Sequence, residues 1–260
     1  MPLSAEQRAR LQIMGIGPVW VLRDSDASDQ PAAVQKTSMV AMASDAGSSA
    51  SSNTDSSASF SEVAALDWDP LAKKVASCEA CGLCQTRTQT VFGVGDRQAD
   101  WLLIGEAPGA EEDARGEPFV GQAGKLLDNM LRAVDLERGK NVYIANVLKC
   151  RPPNNRNPQP EEVERCSPYL QRQIVLIQPK VILVLGRFAA QTLLNTDASI
   201  SSLRGKPQHY QSTPESRKIP VIVTYHPAYL LRTPTDKAKS WVDLCLAREI
   251  YHAAIQDPKN

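Results

Sequence analysis

An α/β fold, with a parallel sheet covered by helices on both faces, is what this sequence predicts. Two observations carry the prediction. Four apolar runs, WLLIGEAP from Trp101, NVYIANVLK from Asn141, KVILVLG from Lys180 and IPVIVTYHP from Ile219, read as strands with no polar alternation. Strands of that kind are buried on both sides. Helical segments separate them, as crossover connections between parallel strands require. GKLLDNMLRAV from Gly124 has apolar residues at helical spacing. PEEVERCSPYLQRQIVLI from Pro160 opens with Pro and two acids, a helix-start signature. RFAAQTLLN reads as a short helix, and a last helix runs from about Thr235 to Ile255.

Upstream, AEQRARLQIM suits a short helix capped by Ser4, and GPVWVLR suits a short strand or docking segment. From Asp24 to Ser61 the composition turns to Ser, Ala, Asp and Gln. Such a stretch cannot bury enough apolar surface to offset its ordering entropy. The reading is therefore a short N-terminal extension (1–23), a disordered Ser/Ala-rich linker (24–61) and one substantial domain (62–260).

The formal net charge is zero, so any nucleic-acid surface has to come from local asymmetry. No apolar run approaches the roughly 20 residues that span a bilayer, and the first residues carry charges where a signal peptide needs an apolar stretch. A cytoplasmic protein without a membrane partner is expected. In that reducing compartment six cysteines argue for metal or free thiols, not disulfides.

Ligands of open parallel sheets bind beyond the carboxyl ends of the strands. Three segments fall there. Gly105-Glu106-Ala107-Pro108-Gly109 is a small-residue turn that lets backbone approach a ligand. Glu111, Glu112 and Asp113 follow it, and then Phe119 before a helix. Asn146 closes the second strand. His226 closes the fourth, followed by Pro227, Tyr229, Leu230, Leu231 and Arg232. Two leucines beside an arginine in a turn suit a wedge that fills the hole left by an extruded nucleotide. Around them Arg204, Lys206, Arg217, Lys218, Arg232, Lys237 and Lys239 face only Glu215 and Asp236, a candidate phosphate rim. Separately, Cys78 and Cys81 form a CxxC pair, with Cys150 and Cys166 further on. Four thiolates fit zinc or an iron–sulfur cluster. Cys84 and Cys245 have no obvious partners.

Taken in order, GEAPGAEED, GEPFVGQAGKLLDNML, VYIANVLKCRPPNNRNP, LGRFAAQTLL, LRGK and HPAYLLR resemble the uracil-DNA glycosylase superfamily, and within it the iron–sulfur, family-four branch. The resemblance covers about residues 71–255 and makes 62–260 the catalytic domain. It implies a three-layer α/β/α sandwich with a central four-stranded parallel sheet. It implies that Cys78, Cys81, Cys150 and Cys166 hold a structural [4Fe–4S] cluster. It places Gly105, Glu106, Ala107 and Gly109 against uracil and sugar, Phe119 on the uracil face, Asn146 on the uracil edge and His226 at uracil O2. Ala107 stands where other branches carry a water-activating Asp, so a simple Asp-base mechanism is excluded. The NVLKCRPPNN segment resembles the cluster-bearing family, not the branch that bonds covalently to the abasic sugar.

The expected activity is hydrolysis of the glycosidic bond of deoxyuridine in DNA, leaving an abasic site. Glu106 is a candidate to stabilise the sugar cation or position water, and Glu112 to position water or wall off C5. The expected partner is uracil-containing DNA. Similar sequences associated with phage DNA polymerases leave open a polymerase or repair-protein contact through the N-terminal extension. Two other readings compete: a metal-dependent nuclease using Glu106, Glu111, Glu112 and Asp113 around Mg²⁺, and a non-catalytic polymerase accessory module.

Overall fold

The computed structural model describes residues 4–17 and 62–256. The linker reading, and the strand reading from residue 18 onward, lie outside those residues. Among the described residues six strands form one sheet in the order β1-β3-β2-β4-β6-β5. The four central strands are those the apolar runs announced: β2 (Trp101–Gly105), β3 (Val142–Asn146), β4 (Val181–Leu185) and β6 (Ile219–Thr224). They run parallel, with Gly105 level with Asn146 and Leu185 level with Thr224.

Two short edge strands escape the sequence reading, β1 (Val94–Gly95) and β5 (Gln208–Tyr210), both antiparallel. At two and three residues they are too short to show a period. β1 also depends on Gly95 at φ 132°, where an added Cβ would lie 2.2 Å from the Val142 carbonyl oxygen.

The wholly apolar strands serve two cores. Leu102, Ile104, Ile182, Val184, Val221 and Val223 face one side with Leu170, Ile174 and Ile177 of α5 (Pro160–Ile177) and Ala189 and Ala190 of α6 (Arg187–Leu194). Trp101, Leu103, Ile144, Leu183, Leu185 and Ile222 face the other. There they meet Leu126, Leu127, Met130 and Leu131 of α4 (Gln122–Ala133) and Leu244 and Ala247 of α9 (Lys237–Gln256). Alternate residues of each strand thus enter opposite cores, which is why the runs are apolar until the carboxyl ends, where Asn146 and Thr224 stand. Each buried Leu, Ile or Val contributes about 1.5–3 kcal/mol. The result is the α/β/α sandwich.

Helix α1 (Ala5–Ile13) is capped as expected. Ser4 and Gln7 form a reciprocal capping box. Buried Leu11 and Met14 attach this segment to the domain, and Arg10 donates to the Ala133 carbonyl and pairs with Asp135 at 2.9 Å. A two-turn helix, α2 (Trp68–Ala76), brings Leu71 and Val75 against Tyr169 of α5. Helices α3 (Ala110–Arg115), α7 (Ile200–Leu203) and α8 (Pro227–Arg232) are short connectors, and α3 and α8 flank the strand ends.

Candidate active site and thiol pocket

A cleft of about 400 Å³ opens at the carboxyl ends of the parallel strands. Glu106, Ala107, Gly109, Glu112, Phe119, Asn146, His226, Tyr229 and Arg232 all line it. Gly105 lies beneath. A Cβ there would sit 2.3 Å from Asn146 Oδ1 and 2.6 Å from the Phe119 ring, so only glycine lets those two side chains meet.

Asn146 is buried, and its Oδ1 has no hydrogen-bond partner among the described residues. A buried amide oxygen without a donor is costly, roughly 1–3 kcal/mol. Asn146 lines the cleft, where a donor from outside the chain can reach that oxygen. His226 caps α8, its Nδ1 accepting the Ala228 N–H at 3.1 Å. An accepting nitrogen carries no proton, so the neutral ring holds its proton on Nε2. Burial, aided by Arg232 and opposed by Glu112, lowers the His226 pKa to about 4, so the ring is a neutral donor at physiological pH. The Phe119 ring lies 5.5 Å from it at 30°. Phe119 occupies φ 55°, a left-handed conformation unusual for an aromatic.

The acids separate. Glu112 Oε2 accepts from Gly109 N–H at 3.2 Å, and its Oε1 accepts from Val120 and Gly121 N–H at 2.9 and 3.1 Å. It clamps the GEAPG turn to the PFVG turn through both oxygens, and it lines the cleft as well. Asp113 is buried and accepts from Thr88 N–H. Glu111 lies beside Arg115 on the surface. These carboxylates do not gather around one point, and among the described residues no three His, Cys, Asp or Glu side chains form a single-ion site. The Mg²⁺ nuclease reading loses its basis. Glu106 keeps a carboxylate without hydrogen-bond partners among the described residues. Burial raises its pKa, and Arg187 pulls the other way.

Four sulfurs meet elsewhere. Cys78, Cys81, Cys150 and Cys166 line one pocket with Val75, Leu83, Arg87, Lys149 and Tyr169, whereas Cys84 and Cys245 do not. Arg87 Nη1 lies 3.2 Å from Cys150 Sγ, and Lys149 N–H lies 3.2 Å from Cys166 Sγ. Burial pushes the thiols of Cys81 and Cys150 up, and that of Cys166 to about 12. Against that burial, Arg87 and the Lys149 backbone N–H set donors beside two of the sulfurs.

Residues 92–248 match the uracil DNA glycosylase superfamily. A type-4 uracil-DNA glycosylase of Archaeoglobus fulgidus is 50% identical over 170 residues, which are 64% of this chain and 84% of that protein. Type-4 uracil-DNA glycosylases of Sulfurisphaera tokodaii and Pyrobaculum aerophilum are 45% and 39% identical, covering 64% and 70% of this chain and 76% and 93% of theirs. The chain belongs to the type-4 uracil-DNA glycosylases.

In this type-4 chain the HPAYLLR segment departs from the expected exposed tip. Pro227 at the first helical position starts a six-residue helix, and Leu230 is fully buried in the core. It cannot reach DNA. Leu231, 44% exposed, and Arg232 remain at the surface. Tyr229 donates its hydroxyl to Asp236 at 2.6 Å and packs on Tyr225. The cationic rim also breaks up. Arg204 forks onto buried Asp243, and Arg217 and Lys218 precede β6, at the end of the sheet away from the cleft.

Sequence reading missed Arg138, which donates to the Pro118 and Phe119 carbonyls at 2.9 and 2.8 Å and holds Asp128. It thereby braces the strained Phe119. Also missed was the wall made by Pro152, Asn155 and Arg156. Arg156 forks onto Glu162 there, and Arg151 binds the Asn155 side chain. No spacing rule announces carbonyl bracing or a loop wall.

Proposed function

We propose that this chain hydrolyses the N1–C1′ bond of deoxyuridine in DNA, releasing uracil and leaving an intact abasic site. The observation that carries the reading is the unpartnered Asn146 Oδ1, buried in a cleft it shares with a neutral Nε2–H of His226 and the Phe119 ring. Uracil presents an N3–H donor and two carbonyl acceptors. Asn146 Oδ1 accepts from N3–H and its amide donates to O4. His226 donates at O2, where negative charge grows as the bond to C1′ breaks and the electron pair stays on the base, the logic of an oxyanion hole. Phe119 stacks on the base. Reaching that bond requires extruding the nucleotide, and in this reading the exposed Leu231 and Arg232 fill the gap.

Glu106 stands as the carboxylate that stabilises the cationic sugar or orients the water whose oxygen joins C1′. Ala107 cannot replace it. No lysine lines the cleft among the described residues, in keeping with hydrolysis without a Schiff base or strand cleavage. The test is incubation with a uracil-containing oligonucleotide and then alkali. A single break at the uracil is expected with alkali and none without it.

Cys78, Cys81, Cys150 and Cys166 are the residues that would hold a [4Fe–4S] cluster. All four line one pocket. The bound cluster supplies a cross-link between α2's end, the end of β3 and α5. Purified protein should be brown, absorbing near ~400 nm. Cys150→Ala or Cys166→Ala should lose colour and solubility together, and Cys245→Ala should keep both. Colourless active protein with one zinc sinks the assignment.

A further inference from the structure

Lys149 is a cation almost without solvent, 1% exposed. Burying an ammonium is expensive unless it is paired, and a methionine would fill the same space without that penalty. Its Nζ donates to the Asn146 carbonyl at 2.9 Å and to Gln173 Oε1 at 2.7 Å. Gln173, also buried, is fixed in turn by donating to the Phe92 carbonyl and the Tyr143 hydroxyl. The same lysine lines the thiol pocket, directs its own N–H at Cys166 Sγ and precedes Cys150. Beyond β3, Val147 and Leu148 N–H continue the pairing onto Gly105 and Glu106 carbonyls. The Asn146 carbonyl is held by the ammonium.

We infer that Lys149 is the positioning residue that holds Asn146 in its base-reading orientation, its side chain fixed by Gln173 and its backbone set in the wall of the four-cysteine pocket. The inference rests on the proposed roles of Asn146 and of those cysteines. One buried residue then joins the two sites. A disturbance of the thiol pocket reaches the uracil edge through it, and a free ammonium cannot swing into the cleft to attack the abasic sugar.

Lys149→Met tests this, with Gln173→Leu as the milder variant that keeps the lysine. Three quantities are read on folded protein: inhibition by free uracil, single-turnover excision with excess enzyme, and bleaching near ~400 nm under a chelator. Lys149→Met should weaken uracil inhibition about tenfold or more, as expected when a buried hydrogen-bonding group is misplaced, and should bleach faster. Placed on Asn146→Ala, it should slow the residual excision by no more than about twofold, because residues acting as a unit are not additive. Gln173→Leu should show the same pattern more weakly, and it decides the matter if Lys149→Met is insoluble. Unchanged uracil inhibition in the folded variants, or a loss that adds in full to that of Asn146→Ala, overturns the inference. Those outcomes presuppose an active wild-type protein. An inactive one overturns the glycosylase reading itself, and this inference with it.

Discussion

Protonating His226 would place a hydrogen where Nδ1 now accepts the Ala228 N–H, so the charge state of one ring bears on both the cap of α8 and the cleft. Its pKa in the folded chain, about 4, lies below the ordinary 6.5. The unfolded chain therefore takes up the proton first. Stability is fully present above 6.5 and is lost as pH falls towards 4. Urea midpoints should fall over that window, and less so in His226→Gln. The kcat/KM profile should show no inflection from His226 above about pH 5. Asn146→Asp tests base reading. It loses the donor to O4, and a protonated Asp would match the reversed edge of cytosine. Uracil excision should drop by orders of magnitude, weak cytosine excision should appear at low pH, and Asn146→Ala should show no such gain. Wild-type uracil rates in Asn146→Asp would remove Asn146 from base reading. Asn146 and His226 were legible because strand ends after apolar runs are few, and Phe119 because GEPFVGQAGKLLDNML carries the family resemblance just before a helix. Arg138 and Lys149 were not, since each acts on a backbone carbonyl that only the folded chain brings within reach.

Helix α8 shows how far a short element can be read. Six residues give less than two turns, too few for a period to say which leucine faces the core, so Leu230 and Leu231 looked equivalent in the sequence. The structure separates them, one fully buried and the other 44% exposed. Leu230→Ala should cost about 2–5 kcal/mol of stability, seen as a lower urea midpoint with both substrates affected alike. Leu231→Ala should leave the midpoint nearly unchanged and slow excision from paired U·A more than from single-stranded DNA, because only the duplex has stacking to open. Equal losses on the two substrates would deny Leu231 a wedge role. Likewise the acids after GEAPG were visible as a run, but the clamp made by Glu112 and the anchor made by Asp113 depend on loops 8 and 25 residues away in sequence.

For the molecule as a whole, fully apolar strands between helices fixed the layers, and the strand ends fixed the position of the cleft. The antiparallel edges and the docking of α1 needed tertiary contacts to be seen. Removing residues 1–61 should therefore lower the melting temperature, since Leu11, Met14 and Arg10 leave the surface of α4. Excision per folded molecule should stay within a few-fold, because every cleft residue lies downstream. Loss of all excision in a folded, coloured truncation would show the boundary to be misplaced. The strand order has a consequence for the chain during its own synthesis. β4, VILVL, is covered along one side only by β6, which begins 34 residues after β4 ends. Until Ile219 to Thr224 have left the ribosome, a flat, uncharged edge stands open to other nascent chains. Premature termination in that interval should yield inclusion bodies, not a smaller folded protein.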